Sequence, residues 1–199
     1  MTDGTQNPEP GTQNARPETQ NTKPGTSNSM REILIEKVTV NIGVGAPGDK
    51  LEQAKTLLER LAVGRKPVET HARRRDPVFK LRKGLPIGTK VTLRGKEAKS
   101  FLDKALTAKR RVLRQSNFDK QGNFAFGVKE HIEMPGTKYV PELGIVGFDV
   151  IATMERPGFR VKRRRIKQSK VGKSHLVTKQ EAIRFVRANF GTEIAGKSQ

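Results

Sequence analysis

Apolar and polar residues alternate over residues 38–44, where valine and isoleucine occupy every second position. A period of two predicts a strand that buries one face and leaves the other uncovered. Thr39 and Asn41 lie on the polar face of this strand. What contacts them is therefore the first functional question that the sequence raises.

A helical period follows the strand, after a turn rich in glycine. Leucine and alanine recur three and four positions apart between residues 51 and 61, which predicts an amphipathic helix that covers the strand's apolar face. Asp49, with Glu52 three residues later, fits a capping box at its start. Gly64 fits its end.

The remaining pattern predicts an α+β fold: an antiparallel sheet with two helices on one face, a split βαβ arrangement that is ferredoxin-like in outline. The other face of the sheet would stay bare and would carry polar and basic side chains. The further predicted elements are a short extended piece at 67–70, a strand from Pro86, a helix over 96–113, and strands at 123–129 and 147–154.

Composition divides the chain into three parts. Residues 1–29 contain almost nothing apolar and are predicted to be a disordered tail. Residues 30–155 form the predicted α+β domain. Residues 156–199 hold a basic arm, predicted to be extended because its like charges repel, and a helix capped by Thr178 and Glu181 and ended by Gly191.

The net charge of +20 indicates a polyanionic partner, for which nucleic acid is the commonest explanation. The chain has no cysteine, which excludes disulfides, thiolate nucleophiles and cysteine-bound metals. No apolar run approaches the length of a membrane span and no signal-peptide pattern is present, so we expect a cytoplasmic protein without a membrane partner.

Two glycine-rich motifs resemble nucleotide sites. Residues 43–48 match the dinucleotide fingerprint, with Glu69 downstream, but Asp49 would bring a carboxylate to the pyrophosphate position and the chain offers too few βα units. A plain glycine turn is therefore favoured. Residues 191–198 match the phosphate-loop pattern, but only Gln199 remains to form the helix that this motif needs, so we attribute the match to chance.

Other candidate chemistry is weak. Phe124 and Phe126 allow a base-stacking strand of a single-strand RNA module, although two core phenylalanines fit the alternation better. The three histidines have no metal-binding spacing and are expected at the surface or against RNA: His71, His131 and His175. We therefore predict no enzyme, cofactor or metal site.

Three segments carry a family resemblance: residues 37–45, 84–95 and 123–127 are similar to the universal large-subunit ribosomal protein number five, in order and spacing from residue 30 to about 191. The stretch 155–160 resembles the archaeal and eukaryotic branch. The resemblance implies a ribosomal protein that binds 5S ribosomal RNA (rRNA) in the central protuberance of the large subunit. It also implies contacts with large-subunit rRNA, other 5S-associated ribosomal proteins, small-subunit ribosomal protein thirteen across a bridge, and the peptidyl-site (P-site) transfer RNA.

The resemblance and the predicted bare face together give three sets of candidate residues. The first, for 5S rRNA, is Lys37, Thr39, Asn41, Lys66, Lys90, Thr92 and Arg94. The second, in a loop near the transfer RNA, is Arg73, Arg74, Arg75, Lys80, Arg82 and Lys83. The third, in the basic arm, is Arg156, Arg160, Lys162, Arg163, Arg164, Arg165 and Lys167. The chain departs from the family at Arg65, where many members have glutamine, and in its first 29 residues.

Overall fold

The computed structural model describes residues 28–141 and 143–196, which contain seven strands, four α-helices and four short 3-10 helices. In chain order the strands and α-helices are β1 (Leu34–Gly43), α1 (Asp49–Leu61), β2 (Val68–His71), β3 (Pro86–Leu93), α2 (Gly95–Ala108), β4 (Val112–Arg114), β5 (Phe124–Val128), β6 (Phe148–Glu155), α3 (Arg160–Arg163), α4 (Lys179–Phe190) and β7 (Glu193–Ala195). The predicted disordered tail falls almost wholly on residues 1–27, and the end of the phosphate-loop pattern on residues 197 and 198; both lie outside the described residues.

The main sheet has five antiparallel strands in the order β2-β3-β1-β6-β5. Because β3 lies between β1 and β2 and runs antiparallel to both, β1-α1-β2 is a split βαβ unit. Strands β2, β3, β1 and β6 reproduce the ferredoxin-like order, with β5 added at one edge. The predicted fold class is confirmed.

The core lies between the sheet and the helices. Val38 and Val40 are fully buried on one face of β1, and Leu58 of α1 and Leu102 of α2 are fully buried in the same core. Helix α1 contacts β3, and α2 contacts β1 and β6. Both helices therefore cover one face of the sheet, as their apolar periodicity predicted.

The start of α1 differs from the prediction. Gly48, with φ of +125°, takes the cap position, and no side chain caps this helix. Asp49 is already the first helical residue, so the predicted capping box with Glu52 is wrong. Gly48 has a backbone conformation that L-residues rarely adopt. The helix therefore starts one residue earlier in the chain than predicted.

The second helix is shorter than predicted. It ends at Ala108 instead of continuing to residue 113, because Arg110 and Arg111 both adopt left-handed conformations. Val112 then begins β4, which pairs in parallel with β7. The Arg111 guanidinium donates to the Phe190 carbonyl and to Asp103, which fixes this turn. A partner some eighty residues distant in sequence thus overrides the local helical period.

The C-terminal helix agrees with the prediction. Thr178 and Glu181 form both bonds of the capping box, and Gly191 ends α4 in the left-handed conformation. The basic arm is not extended in this structure. Its one-turn helix α3 is followed by a chain that turns back, so that the Ser169 amide donates to the Val161 carbonyl at 3.2 Å.

None of the described helices combines the length and the apolar composition that a membrane crossing needs.

Candidate nucleic-acid interface

The sheet face opposite the helices, called the sheet face below, carries the predicted polar residues. Thr39 is the cross-strand partner of Thr92, and Asn41 of Lys90. Cross-strand partners of an antiparallel pair project to the same side, while the alternate residues of β1 are buried in the core. Lys90 and Thr92 are exposed, and Thr39 and Asn41 are half-buried. The predicted outward orientation of all four is confirmed.

Strand β6 extends this face on the other side of β1. Asp149 pairs with Asn41, Ile151 with Thr39, and Thr153 with Lys37. Sequence reasoning did not include these three, although the alternation of Asp149, Ile151 and Thr153 with buried residues of β6 would have identified them. The sheet face is therefore a mainly polar surface of hydroxyl, amide, ammonium and carboxylate groups, with the apolar Ile151 among them. Such groups can both donate and accept hydrogen bonds to riboses and base edges.

One carboxylate organises the cations beside the sheet face. Glu36 lies at a register shift in β1, and its side chain is 10% exposed. Its Oε1 lies 3.3 Å from Arg94 Nη1 and 3.0 Å from Arg163 Nη2. Arg163 also pairs with Glu155. Two predicted RNA-binding arginines, one directly after β3 and one in the basic arm, are thus held together by an acid that no sequence motif indicates.

Arg65 is also paired within the chain. Its Nε and Nη2 donate to the two oxygens of Glu97, each at 3.1 Å. These hydrogen bonds and the charge of Glu97 raise the pKa of Arg65 above its ordinary value. This pair of hydrogen bonds joins the segment after α1 to the first turn of α2. The neighbouring Lys66 is exposed just before the edge strand β2.

The loop between β2 and β3, called the basic loop, has a defined shape. Asp76 and Leu81 exchange two backbone hydrogen bonds, of 3.0 and 2.8 Å, and the Asp76 side chain accepts from the Val78 amide at 3.0 Å. Val78 and Phe79 lie at its tip, 83% and 72% exposed. No pattern in the sequence indicates this exposed apolar tip. The six predicted cations are all exposed: Arg73, Arg74, Arg75, Lys80, Arg82 and Lys83.

The predicted cations of the basic arm divide into two groups. Arg156 is buried, with a side chain that is 8% exposed and paired with Glu181 at 2.7 Å. Arg163 is bound to the carboxylates of Glu36 and Glu155. The rest of the predicted set is exposed to solvent: Arg160, Lys162, Arg164, Arg165 and Lys167.

Two rival sites are contradicted. Phe124 and Phe126 are 2% and 4% exposed and stack on each other at 6.4 Å, so they are core residues and not a base-stacking platform. At the glycine fingerprint, β1 is antiparallel to both of its neighbours, unlike the parallel sheet of a dinucleotide fold. Glu69 instead binds Lys55 at 2.6 Å, and this contact lowers the pKa of Glu69.

The histidines also differ from expectation in one case. His131 is fully buried, with its Nδ1 accepting from the Val146 amide at 3.4 Å, so its predicted surface position is wrong. Too few apolar residues surround His131 in the sequence to form a periodic pattern that would predict its burial. Among residues 28–141 and 143–196, no group of three or more His, Asp or Glu side chains is arranged to hold a metal ion.

Comparison with known proteins supplies the family context of this surface. Residues 28–82 match the family described as ribosomal protein L5, and residues 86–185 match the model of the C-terminus of the same ribosomal family. Curated relatives that bear the name large ribosomal subunit protein uL5 include the following three. That of Methanococcus maripaludis strain C6 is 51% identical over 168 residues, covering 83% of this chain and 92% of the relative. That of Methanococcus vannielii is 50% identical over 168 residues, with the same coverage. That of Sulfurisphaera tokodaii is 52% identical over 166 residues, covering 83% and 93%.

Proposed function

This chain belongs to the uL5 family of large ribosomal subunit proteins, and from this premise we propose that its sheet face binds 5S rRNA in the central protuberance. Family membership makes the chain a structural, non-enzymatic component of the large subunit of the cytoplasmic ribosome. Its similarity to the archaeal relatives fits the archaeal and eukaryotic resemblance read from the sequence. Ribosomal RNA is accordingly among its partners.

The observation that carries the proposal is the uncovered sheet face. Thr39, Asn41 and Thr92 present hydroxyl and amide groups on a sheet whose opposite side is fixed by the core. Groups held this rigidly lose little conformational entropy on binding, so they can read riboses and base edges in a folded RNA. Lys37 and Lys90 on the same face neutralise phosphates, which supplies most of the affinity.

The basic loop and the basic arm extend the proposed contacts. The basic loop presents six exposed cations around its tip, and we assign it to the P-site transfer RNA. The exposed cations of the basic arm are assigned to large-subunit rRNA. The bridge to small-subunit ribosomal protein thirteen and the contacts with other 5S-associated ribosomal proteins are supported by the family resemblance alone.

A double substitution on the sheet face tests the proposal. In the full chain, Asn41→Ala with Thr92→Ala removes two hydrogen-bonding groups from the face without touching the core. We expect 5S rRNA to bind about ten- to a hundredfold more weakly, since each lost hydrogen bond to RNA costs on the order of 1 kcal/mol or more. The measurement is a filter-binding or anisotropy titration at fixed salt.

The matched control removes the same residue types from the helix side of the molecule. Thr56→Ala with Asn189→Ala alters exposed residues of α1 and α4. This control is expected to bind 5S rRNA as the unaltered chain does. Equal affinities for the two double variants, with both proteins folded, would remove the sheet face from the binding site.

A further inference from the structure

The helix side of the molecule carries a groove of about 710 Å³, which the proposed RNA contacts do not use. It lies between the C-terminal end of α1, the part of α2 from Lys96 to Lys104, and a loop that contributes residues 134–138, 140 and 143. Its volume falls within the roughly 300–1,000 Å³ typical of clefts that bind ligands. The groove is on the opposite side of the sheet from Thr39, Asn41 and Thr92.

The floor of this groove is apolar. Leu57 and Phe101 come from the two helices, and Met134 and Leu143 from the loop, and all four are at most 7% exposed. Their outer surfaces line the groove while their remaining atoms belong to the core. An apolar floor gains free energy when an apolar side chain displaces water from it.

The rim of the groove is cationic. Arg60 lies in the last turn of α1, Lys96 and Lys104 lie on α2, and Lys138 belongs to the loop. All four are exposed, and none forms an ion pair with another described residue. Glu97, the one acid among the described lining residues, is bonded to Arg65. Among the described lining residues, the rim therefore has no unpaired acid, whereas Arg65, Arg94, Arg156 and Arg163 each contact a carboxylate.

We infer that this groove docks a segment of another protein, with apolar side chains that fill the floor and Asp or Glu residues that meet the rim. An amphipathic helix bound in a groove combines these two features. The charge complementarity of Arg60, Lys96, Lys104 and Lys138 selects acidic segments over neutral ones. The inference does not depend on the proposed 5S rRNA contact, because it concerns the other side of the sheet.

Other occupants fit less well. RNA would satisfy the cations, but its bases stack on exposed aromatic faces, and the aromatic residue among the described lining residues, Phe101, is 5% exposed. The chain's own residues 1–27 contain no leucine, isoleucine, valine or phenylalanine with which to fill the floor. A second copy of this chain is disfavoured by its net charge of +20.

Photo-crosslinking in isolated large subunits tests the inference. A benzophenone side chain replaces Ser100, an exposed residue that lines the groove. The control position is Lys50 in the first turn of α1, about 15 Å along the helix axis from Arg60. Large subunits separated from small subunits are irradiated, so that a bridge partner cannot contribute. Mass spectrometry then identifies the crosslinked chain and the attachment site.

A charge-reversal pair gives the second readout. Lys96→Glu with Lys104→Glu inverts two rim charges, and Lys50→Glu with Lys99→Glu inverts two exposed charges outside the groove. We expect the Ser100 crosslink to a protein to fall about tenfold in the first pair and to persist in the second. The melting temperature of each purified variant verifies that it is folded.

The result that supports the inference is a crosslink from Ser100, absent from Lys50, to a protein segment in which apolar residues are flanked by Asp or Glu. A crosslink to RNA, to a second copy of this chain or to a segment without acidic residues would overturn it. So would the absence of any crosslink above the Lys50 background, or equal yields in the two charge-reversal pairs. Binding of 5S rRNA is measured separately on the same variants, so failure of one proposal is distinguishable from failure of the other.

Discussion

Arg156 and Glu181 join the end of β6 to the start of α4 through a hydrogen-bonded ion pair of 2.7 Å. The other oxygen of Glu181 accepts from the Thr178 amide at 2.9 Å and from the Thr178 hydroxyl at 3.0 Å. One carboxylate therefore closes the capping box and also neutralises a buried guanidinium. Because Arg156 is the first residue of the basic arm and Glu181 lies in the helix that follows the arm, this pair closes the arm into a loop.

Glu181→Gln is expected to destabilise the protein. Glutamine can still form the capping box, so the substitution isolates the loss of charge opposite the buried Arg156. We expect the free energy of unfolding to fall by about 1–3 kcal/mol, since a buried charge loses its partner while part of the site remains open to water. Urea denaturation measures this change. Glu52→Gln, in the first turn of α1 without a cap bond, is the matched control; equal losses in the two variants would contradict the prediction.

The same pair gives the protein a pH dependence in the acid range. Hydrogen bonds from the Thr178 backbone, then from the Thr178 hydroxyl and Arg156, hold the pKa of Glu181 below its ordinary value of 4.5. A lowered pKa in the folded state means that the stabilisation is complete above the unfolded pKa and is lost as pH falls through the folded one. The stability difference between the unaltered chain and Glu181→Gln should therefore shrink between about pH 6 and about pH 3. A difference that stays constant over this interval would exclude the assignment.

Binding of 5S rRNA should weaken steeply as salt rises. Each phosphate that a lysine or arginine neutralises releases counterions, which contributes about 0.7–0.9 to the slope of log affinity against log salt. Lys90→Gln, on the sheet face, should reduce that slope by about one such step. Lys50→Gln, at the start of α1, should leave it unchanged. A slope near zero for the unaltered chain would exclude a phosphate-dominated contact.

Two phenylalanines in different environments provide a test of the core. Phe124 is 2% exposed and Phe79 is 72% exposed. Phe124→Ala should cost about 3–5 kcal/mol of the free energy of unfolding, because it opens a cavity beneath the helices. Phe79→Ala should cost about 0.5 kcal/mol or less. If Phe124→Ala proved as mild as Phe79→Ala in urea denaturation, the assignment of Phe124 to the core would be wrong.

The basic loop and the sheet face should be separable in function. Replacing Arg73, Arg74 and Arg75 by glutamine removes three exposed charges from a loop shaped by the Asp76 backbone bonds. We expect the affinity of ribosomes for P-site transfer RNA to fall about two- to tenfold, as each exposed contact contributes less than about 1 kcal/mol. The affinity of the chain for 5S rRNA should stay within about twofold. A loss of 5S binding alone would reverse the assignment of this loop.

Local patterns predicted much of the fold. The alternation of β1 and β3, the apolar stripes of α1 and α2, and the Thr178 to Gly191 limits of the last helix all follow from sequence periods and caps. These features depend on residues three or four positions apart, or on alternate residues, which the sequence displays directly. Two predicted helix boundaries were wrong, the start of α1 and the end of α2. A residue with positive φ sets each of them, Gly48 before α1 and Arg110 after α2, and no side-chain pattern indicates this conformation.

The sequence by itself determined that this chain has an uncovered polar sheet face and a surplus of positive charge, because periodicity and charge are local or additive properties. The tertiary structure alone decided which charges are available to a partner. Glu36 holds Arg94 and Arg163, and Glu181 holds Arg156, through contacts between residues 25 to 127 positions apart in the chain. Coulomb interactions act over distances in space and not along the chain, so only the folded arrangement pairs these arginines and leaves the cations of the basic loop and of the helix-side groove exposed.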